Sequence, residues 1–440
     1  MKDFLLGMLL GACVLGLSAG TALASDPYEK YRGETIVVSW PALSHFRKAE
    51  KLVEEFTEET GINVELDAVQ YMKLRDRQLL EMSKDEGEYD VVFWVVMWKG
   101  EYVSKGLLTP LSQFFTNAAL VDPDYDIDDI ADAYLQNGGV VGGEKGYLPG
   151  KSGALYGLPF SAETSILAYR KDIFKQQGLK VPRTYEQLRD VMRRLKAAGI
   201  PALTSRAQTG HQVTAAWLLH LDPFGGKIFD KKWNPVVNSP AAVESARFMR
   251  EIVQTGPIGI PTFDMGQMMA AFLQGDAALY LDTFKIAAMA RDPKLSKVAG
   301  KVGYAPHPVA ARCGSETGGF AGGVPANARH KEAAFLFLQY ITSKRGDRRM
   351  VELGGNPVRI STLKENINGF AEYPIIVEQL SCADPDWRPL IPEWSELDVD
   401  VLGQALGEVV TTDKPIRPIM NAANDKIRAI MKRAGYYTWR

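Results

Sequence analysis

The segment from Thr35 to Trp94 constrains the fold more than any other part of the chain. Thr35-Ile36-Val37-Val38-Ser39-Trp40 is a β-branched run of strand character, and from Phe46 the apolar residues Ala49, Leu52, Val53 and Phe56 recur at helical spacing. Gly61 stops that helix; Ile62, Val64, Leu66 and Ala68 then alternate with Asn63, Glu65 and Asp67 in the two-residue period of a strand. A second helix fits Tyr71 to Met82, and Tyr89 to Trp94 makes a third strand. Strands separated by helices of this length pair in parallel through right-handed crossovers, so a layered α/β sheet is predicted. Such sheets place ligands beyond the carboxyl ends of their strands, which marks the loops opening at Trp40, Tyr71 and Trp94.

At 440 residues the chain exceeds what one hydrophobic core organises, so two packed lobes are expected. A net charge of -2 with 24% charged residues excludes a basic nucleic-acid binder, and 46% hydrophobic residues exclude a disordered tail. Asp122 to Gly153 is rich in Asp, Gly and Tyr without steady periodicity and reads as a long loop. Beyond it, Thr184 and Gln187 form a capping box for a helix carrying Leu188, Val191, Met192 and Leu195. Ser239 caps another, with Pro240 at its first position and Gly256 at its end. A third helix spans about His330 to Ile341, with Ala334, Phe335, Phe337, Leu338 and Ile341 inward.

The first residues follow a different logic. Lys2, an apolar run from Phe4 to Leu17 and the small-x-small triplet Ala22-Leu23-Ala24 read as a secretory leader cut after Ala24, which predicts a periplasmic protein. Leu10-Gly11-Ala12-Cys13 offers lipoprotein anchoring as the alternative, but it would leave Val14 to Leu17 on the mature chain. The run is short of the roughly 20 residues a membrane span needs. Past the leader, Cys313 and Cys382 are the two thiols; in an oxidising compartment they form a disulfide or remain two buried free cysteines.

Several strings in order resemble the family of extracellular solute-binding proteins that includes maltose-binding protein and its sugar and polyol relatives. They are Tyr89-Asp90-Val91-Val92-Phe93-Trp94 with Gly106-Leu107-Leu108-Thr109-Pro110-Leu111, and Ala154-Leu155-Tyr156-Gly157-Leu158-Pro159 continuing through Leu167 to Phe174, Gly178, Pro182 and Thr184-Tyr185-Glu186-Gln187-Leu188. Further on come Phe272-Leu273-Gln274-Gly275-Asp276-Ala277-Ala278-Leu279, Gly318-Gly319-Phe320 through Pro325, Lys331 to Leu338, and Gly354-Gly355-Asn356-Pro357-Val358-Arg359-Ile360-Ser361. The resemblance covers nearly the whole mature chain. It implies an α/β, two-lobed periplasmic-binding-protein fold of type II with a ligand cleft between lobes joined by a hinge. Lobe 1 would comprise residues 25–160 and 322–352, and lobe 2 residues 161–321 and 353–440, with crossings near Phe160, Gly319 to Gly322 and Arg359. The implied activity is capture of a small-molecule carbohydrate, sugar or sugar alcohol, by hinge closure and delivery to the transmembrane subunits of an ABC permease, as a monomer with no cofactor, metal or catalysis.

A sugar site needs aromatic platforms for C–H faces and polar groups that pair with hydroxyls. On the first lobe the candidates are His45, Tyr71, Trp94 and Trp98; His45 could equally be a solvated helix-start residue. The family often has an aspartate where this chain has Val95-Val96-Met97-Trp98, which suggests a more apolar wall. At the first crossing the resemblance implies a ligand-binding carboxylate at Glu163, with a hinge salt bridge as the alternative. The second lobe offers His211, Asp282, Phe284, Gly319 and Phe320; Phe284 and Phe320 stand where the family commonly has tryptophan. Arg359 at the third crossing would grip two hydroxyls or tie the hinge to a carbonyl, and Trp394 would cap the cleft, whereas Trp387 suits surface packing.

Other functions find less support. Glu163 and Asp282 could be cast as the carboxylate pair of a carbohydrate-active hydrolase, but nothing in the sequence sets their separation. The five histidines lack the HExxH spacing of a catalytic zinc site. Gly150-Lys151-Ser152 looks like the end of a phosphate loop, yet Lys145 stands where that loop requires glycine. A glycerol-phosphate-like anion as ligand would call for several arginines in the cleft, where Arg359 alone is placed, and a ferric ligand for paired tyrosines outside the tail.

Overall fold

The structure, a computed structural model, describes residues 26–142, 153–314 and 316–437. The leader with its cut after Ala24, the Cys13 alternative and the Gly150-Lys151-Ser152 string lie outside the described residues.

The described residues form the strands β1 (Thr35–Pro41), β2 (Asn63–Val69), β3 (Val91–Val95), β4 (Val140–Val141), β5 (Ala154–Leu155), β6 (Leu158–Arg170), β7 (Leu203–Thr204), β8 (Leu279–Thr283), β9 (Val302–Ala305) and β10 (Thr317–Gly323). β1 pairs in parallel with both β2 and β3, as the alternation of strands and helices predicts. The helix Ser44–Thr60 ends on Gly61 at φ 72°, a left-handed cap that only glycine adopts without strain. The strand order β2-β1-β3-β10-β6-β8-β7, with β9 beside β6, makes one path through two differently built halves.

β6 is the reason. Its first part, Leu158 to Thr164, pairs with β10, while Ser165 to Arg170 pairs with β8 and β9. One core gathers Ile36, Val38, Phe46, Phe93, Phe160 and Phe337; the other gathers Leu188, Trp217, Phe248, Leu279, Leu406 and Ile427. Burying each such side chain contributes about 1.5–3 kcal/mol, so each lobe has its own cohesion and the strands between them are free to act as a hinge. At the crossing both strands leave the regular pleat: Ser161 has φ 54°, Gly319 has φ 93°, and the register shifts between Gly318 and Phe320.

Just ahead of the helix Ile360–Glu365 the chain is pinned by Arg359, which is wholly enclosed. Its Nε donates to the Thr342 carbonyl at 2.8 Å and its NH1 to the Asp126 carbonyl at 2.8 Å, above the ring of Tyr125. Asp347 accepts from the backbone N–H groups of Val358 and Arg359 at 2.8 and 3.1 Å, and burial pushes its carboxyl up to about 6.

Some local expectations are corrected. Thr184 accepts from the Gln187 N–H at 3.2 Å, but the Gln187 side chain reaches back to Arg183 rather than Thr184, so the box is half formed. A complete capping box occurs instead at Asp264 and Gln267. The aperiodic stretch after Asp122 is not all loop: it holds the helix Asp132–Gly138 and then β4. Cys313 and Cys382 are bridged, with their Cα atoms 5.6 Å apart, which ties the approach to β10 to the end of the helix Tyr373–Leu380.

Candidate functional site

The first lobe presents the ends of its parallel strands. β1 delivers the helix start that carries His45, β2 the helix Tyr71–Met82, and β3 the turn Val96–Trp98. The rings of Tyr71 and Trp98 lie 6.2 Å apart, and His45 packs at 5.8 Å from Phe320. The Nε2 of His45 is buried without a hydrogen-bond partner among the described residues. Burial, with Lys285 and Lys48 nearby, holds its imidazole well below its ordinary pKa, so it is neutral.

Opposite stands a wall from the hinge and the second lobe. Glu163, on β6, meets Lys285, just past β8, with Oε2 and Nζ 3.1 Å apart and both side chains partly open to solvent. Asp282 on β8 accepts a fork from Arg206, Nε to Oδ2 at 3.0 Å and NH2 to Oδ1 at 3.2 Å, and both residues are buried. His211 opens the helix His211–Leu221 and its Nδ1 lies 2.6 Å from Asp398 Oδ2. Glu316, buried just ahead of β10, is pushed up to about 8 by desolvation and the charge of Asp282, so it keeps its proton at pH 7. The Tyr71 hydroxyl, reaching from the first lobe, sits in the fields of Arg206, Glu163, Arg388 and Asp398, which places these groups around one space.

The structure thus brings His45, Tyr71, Trp98, Glu163, His211 and Asp282 to the lobe junction, with Gly319 and Phe320 at its hinge edge. Other candidates are enclosed by protein. Trp94 lies under the backbone of Gly157 and Gly323 in the first core and is not a pocket wall. Phe284 turns into a cluster with Ile166, Val351, Leu363, Tyr373 and Ile376. Trp394 belongs to the second core, as does Trp387, whose Nε1 donates to the Thr317 carbonyl at 3.1 Å instead of packing on the surface. Arg359 donates through Nε and NH1 to the Thr342 and Asp126 carbonyls, while its NH2 is buried without a hydrogen-bond partner among the described residues.

Arg206, Lys285, Glu316, Arg388 and Asp398 were missed. Arg206, Lys285 and Glu316 lie far in sequence from one another and from Arg388 and Asp398, and the fold brings them together. The run Trp387-Arg388-Pro389, an arginine between residues suited to burial, was the one local signal. Among the described residues no group of three His, Cys, Asp or Glu could hold a metal ion, and no helix is long and apolar enough to cross a membrane.

Two lobes with separate cores, shared strands that bend at Ser161 and Gly319, and a wall of charged side chains opposite the rings of Tyr71 and Trp98 define a hinged solute-binding protein. The profile of the bacterial extracellular solute-binding proteins matches residues 43–348, and the chain belongs to that family. These are non-catalytic, extracytoplasmic receptors of ABC importers. A probable amino-acid ABC transporter periplasmic-binding protein of Sinorhizobium fredii is 26% identical over 97% of this chain and 96% of its own. A mannitol-binding protein of Pseudomonas aeruginosa is 27% identical over 82% of this chain and 85% of its own. The crystal structure of a solute-binding protein from Agrobacterium radiobacter K84 in complex with ribitol superposes with a TM-score of 0.79 at 26% identity, covering 91% of this chain and 99% of that one.

Proposed function

We propose that the cleft captures a small neutral sugar alcohol and that the lobes close on it for delivery to an ABC permease. The observation that carries this reading is the pairing of donors with acceptors around one space. Glu163 beside Lys285, and Asp282 beside Arg206, set a carboxylate next to a cation twice over, and Glu316 is held neutral. A hydroxyl donates and accepts at once, so it can bond to both members of such a pair; a phosphate accepts only and would confront the carboxylates. The rings of Tyr71 and Trp98 supply an apolar face for the carbon chain. The mannitol- and ribitol-binding relatives support the same ligand class. A second reading, an amino-acid zwitterion, is favoured by the relative from Sinorhizobium fredii and uses the same charge pairs.

The chain would act as a monomer, exported by a leader cut after Ala24, with lobes at residues 25–160 with 322–352 and 161–321 with 353–440. Thermal unfolding of the exported chain against ribitol, D-mannitol, D-glucose, maltose, glycerol 3-phosphate and L-glutamate tests the ligand class. A ligand at 100 times its Kd stabilises by about 2.7 kcal/mol, and a saturable shift from a polyol is expected. A shift from glycerol 3-phosphate or L-glutamate alone overturns the reading.

A further inference from the structure

We propose that Arg388 is the specificity-determining donor of this cleft, and that together with Asp398 it takes two adjacent hydroxyls at one end of the polyol; the assignment rests on the ligand class just proposed. Arg388 is 6% exposed, and its Nε is buried with no hydrogen-bond partner among the described residues. A buried guanidinium without acceptors is costly, and proteins keep such groups where a ligand supplies the acceptors. It feels the charges of Glu316, Asp398, Tyr71 and Arg206, and its guanidinium is 4.5 Å from the centre of the Trp387 ring, which supports it from one side.

Asp398 is the complementary half. His211 occupies Oδ2, while Oδ1 is buried without a partner among the described residues. The carboxylate sits on a π-helical stretch, Leu397–Leu402, whose widened turn is held by Thr214 Oγ1 donating to the Asp398 carbonyl at 2.8 Å. Such turns occur chiefly at functional sites because they aim a side chain that a regular helix would point elsewhere. An unfilled donor fork and an unfilled acceptor at one pole match a vicinal diol, whose two oxygens accept from the fork while one hydroxyl donates to Asp398. A carboxylate-ended ligand would fill the fork but leave Asp398 unsatisfied and repelled.

The test uses the exported chain and its Arg388→Met, Arg388→Lys and Asp398→Asn variants, with unliganded melting curves and calorimetric titration of ribitol, D-mannitol and D-gluconate. Arg388→Met is expected to melt at or above the wild-type temperature without ligand, because it removes an unpaired buried charge. Its affinity for whichever polyol binds is expected to fall about 100-fold, with partial recovery in Arg388→Lys, which restores charge but not the fork. Asp398→Asn should lose polyol affinity while gaining on D-gluconate. A polyol bound equally well without Arg388, or an unliganded melting point several degrees lower in Arg388→Met, overturns the assignment alone. Wild type that binds no polyol sinks the ligand class instead; D-gluconate bound in its place and lost in Arg388→Met would leave Arg388 the selector but of a carboxylate, which overturns the diol.

Discussion

Ser161 and Gly319 face each other at the lobe crossing so closely that a β-carbon built on Gly319 would stand 2.5 Å from the Ser161 carbonyl oxygen. Both have positive φ, 54° and 93°, so the two shared strands bend at the same level. That coincidence makes a hinge: chain direction changes where the pairing is weakest, and the cores on either side move as units. Gly319→Ala is therefore expected to destabilise by more than the roughly 1–3 kcal/mol of left-handed strain alone, because Ser161 must also shift. Gly33→Ala is the control, with φ 84° and no atom near its added carbon. Urea denaturation of both variants should rank Gly319→Ala the more costly; equal losses would remove the close approach from the argument.

The two charge pairs of the cleft differ in burial and should separate in their effects. Arg206 and Asp282 are both buried, so Asp282→Ala strands a guanidinium and is expected to cost about 3–5 kcal/mol in unliganded denaturation. Glu163 and Lys285 keep 13% and 19% of their side-chain surface exposed. The partial exposure lets water reach the Lys285 side chain once its partner is changed, so Glu163→Gln should cost less stability than Asp282→Ala while weakening polyol binding in the same titration.

Glu316 gives the cleft a pH dependence of definite sign. Its folded pKa, raised to about 8 by burial and Asp282, exceeds the ordinary value of 4.5. Its neutral form therefore contributes stability below about pH 4.5, and that contribution is lost as pH climbs to about 8, since the unfolded chain releases the proton first. Glu316→Gln mimics the neutral acid. Its melting temperature relative to wild type should rise steadily between pH 5 and pH 8; a difference constant with pH would show that Glu316 is ionised in the folded chain.

Sequence reading reached the parts of this structure that local physics determines. The period of Ile62 to Ala68, the stop at Gly61 and the caps at Thr184 and Ser239 depend on neighbours a few residues away, and β2, the helix Ser44–Thr60 and the helix Pro240–Thr255 stand where they were expected. Periodicity does not say which face of a strand an aromatic takes: Trp94 ends a strand as read, yet its ring turns inward beneath Gly323. The cleft was harder still, because its pairs join distant positions. Arg206 meets Asp282 and His211 meets Asp398 by folding alone, and Arg388 is marked locally only by its place between Trp387 and Pro389.

The bridge between Cys313 and Cys382 spans 69 residues and holds the two segments that carry Glu316 and Arg388. Closing a loop of that length lowers the entropy of the unfolded chain by an amount worth about 4 kcal/mol in the chain-entropy model. The second segment also meets the first lobe: Asn137 donates to the Pro385 carbonyl at 3.2 Å, and a β-carbon on Gly100 would stand 2.0 Å from the Leu390 carbonyl oxygen. Losing the bridge should therefore act on stability and closure together. The Cys313→Ser, Cys382→Ser double variant is expected to lose about 2–4 kcal/mol in urea denaturation and to bind its polyol more weakly, with Arg388 less firmly placed. Dithiothreitol should reproduce both effects in wild type and neither in the double variant. A loss of stability with unchanged affinity would confine the bridge to the second lobe's fold and free the 384–391 segment from any part in closure.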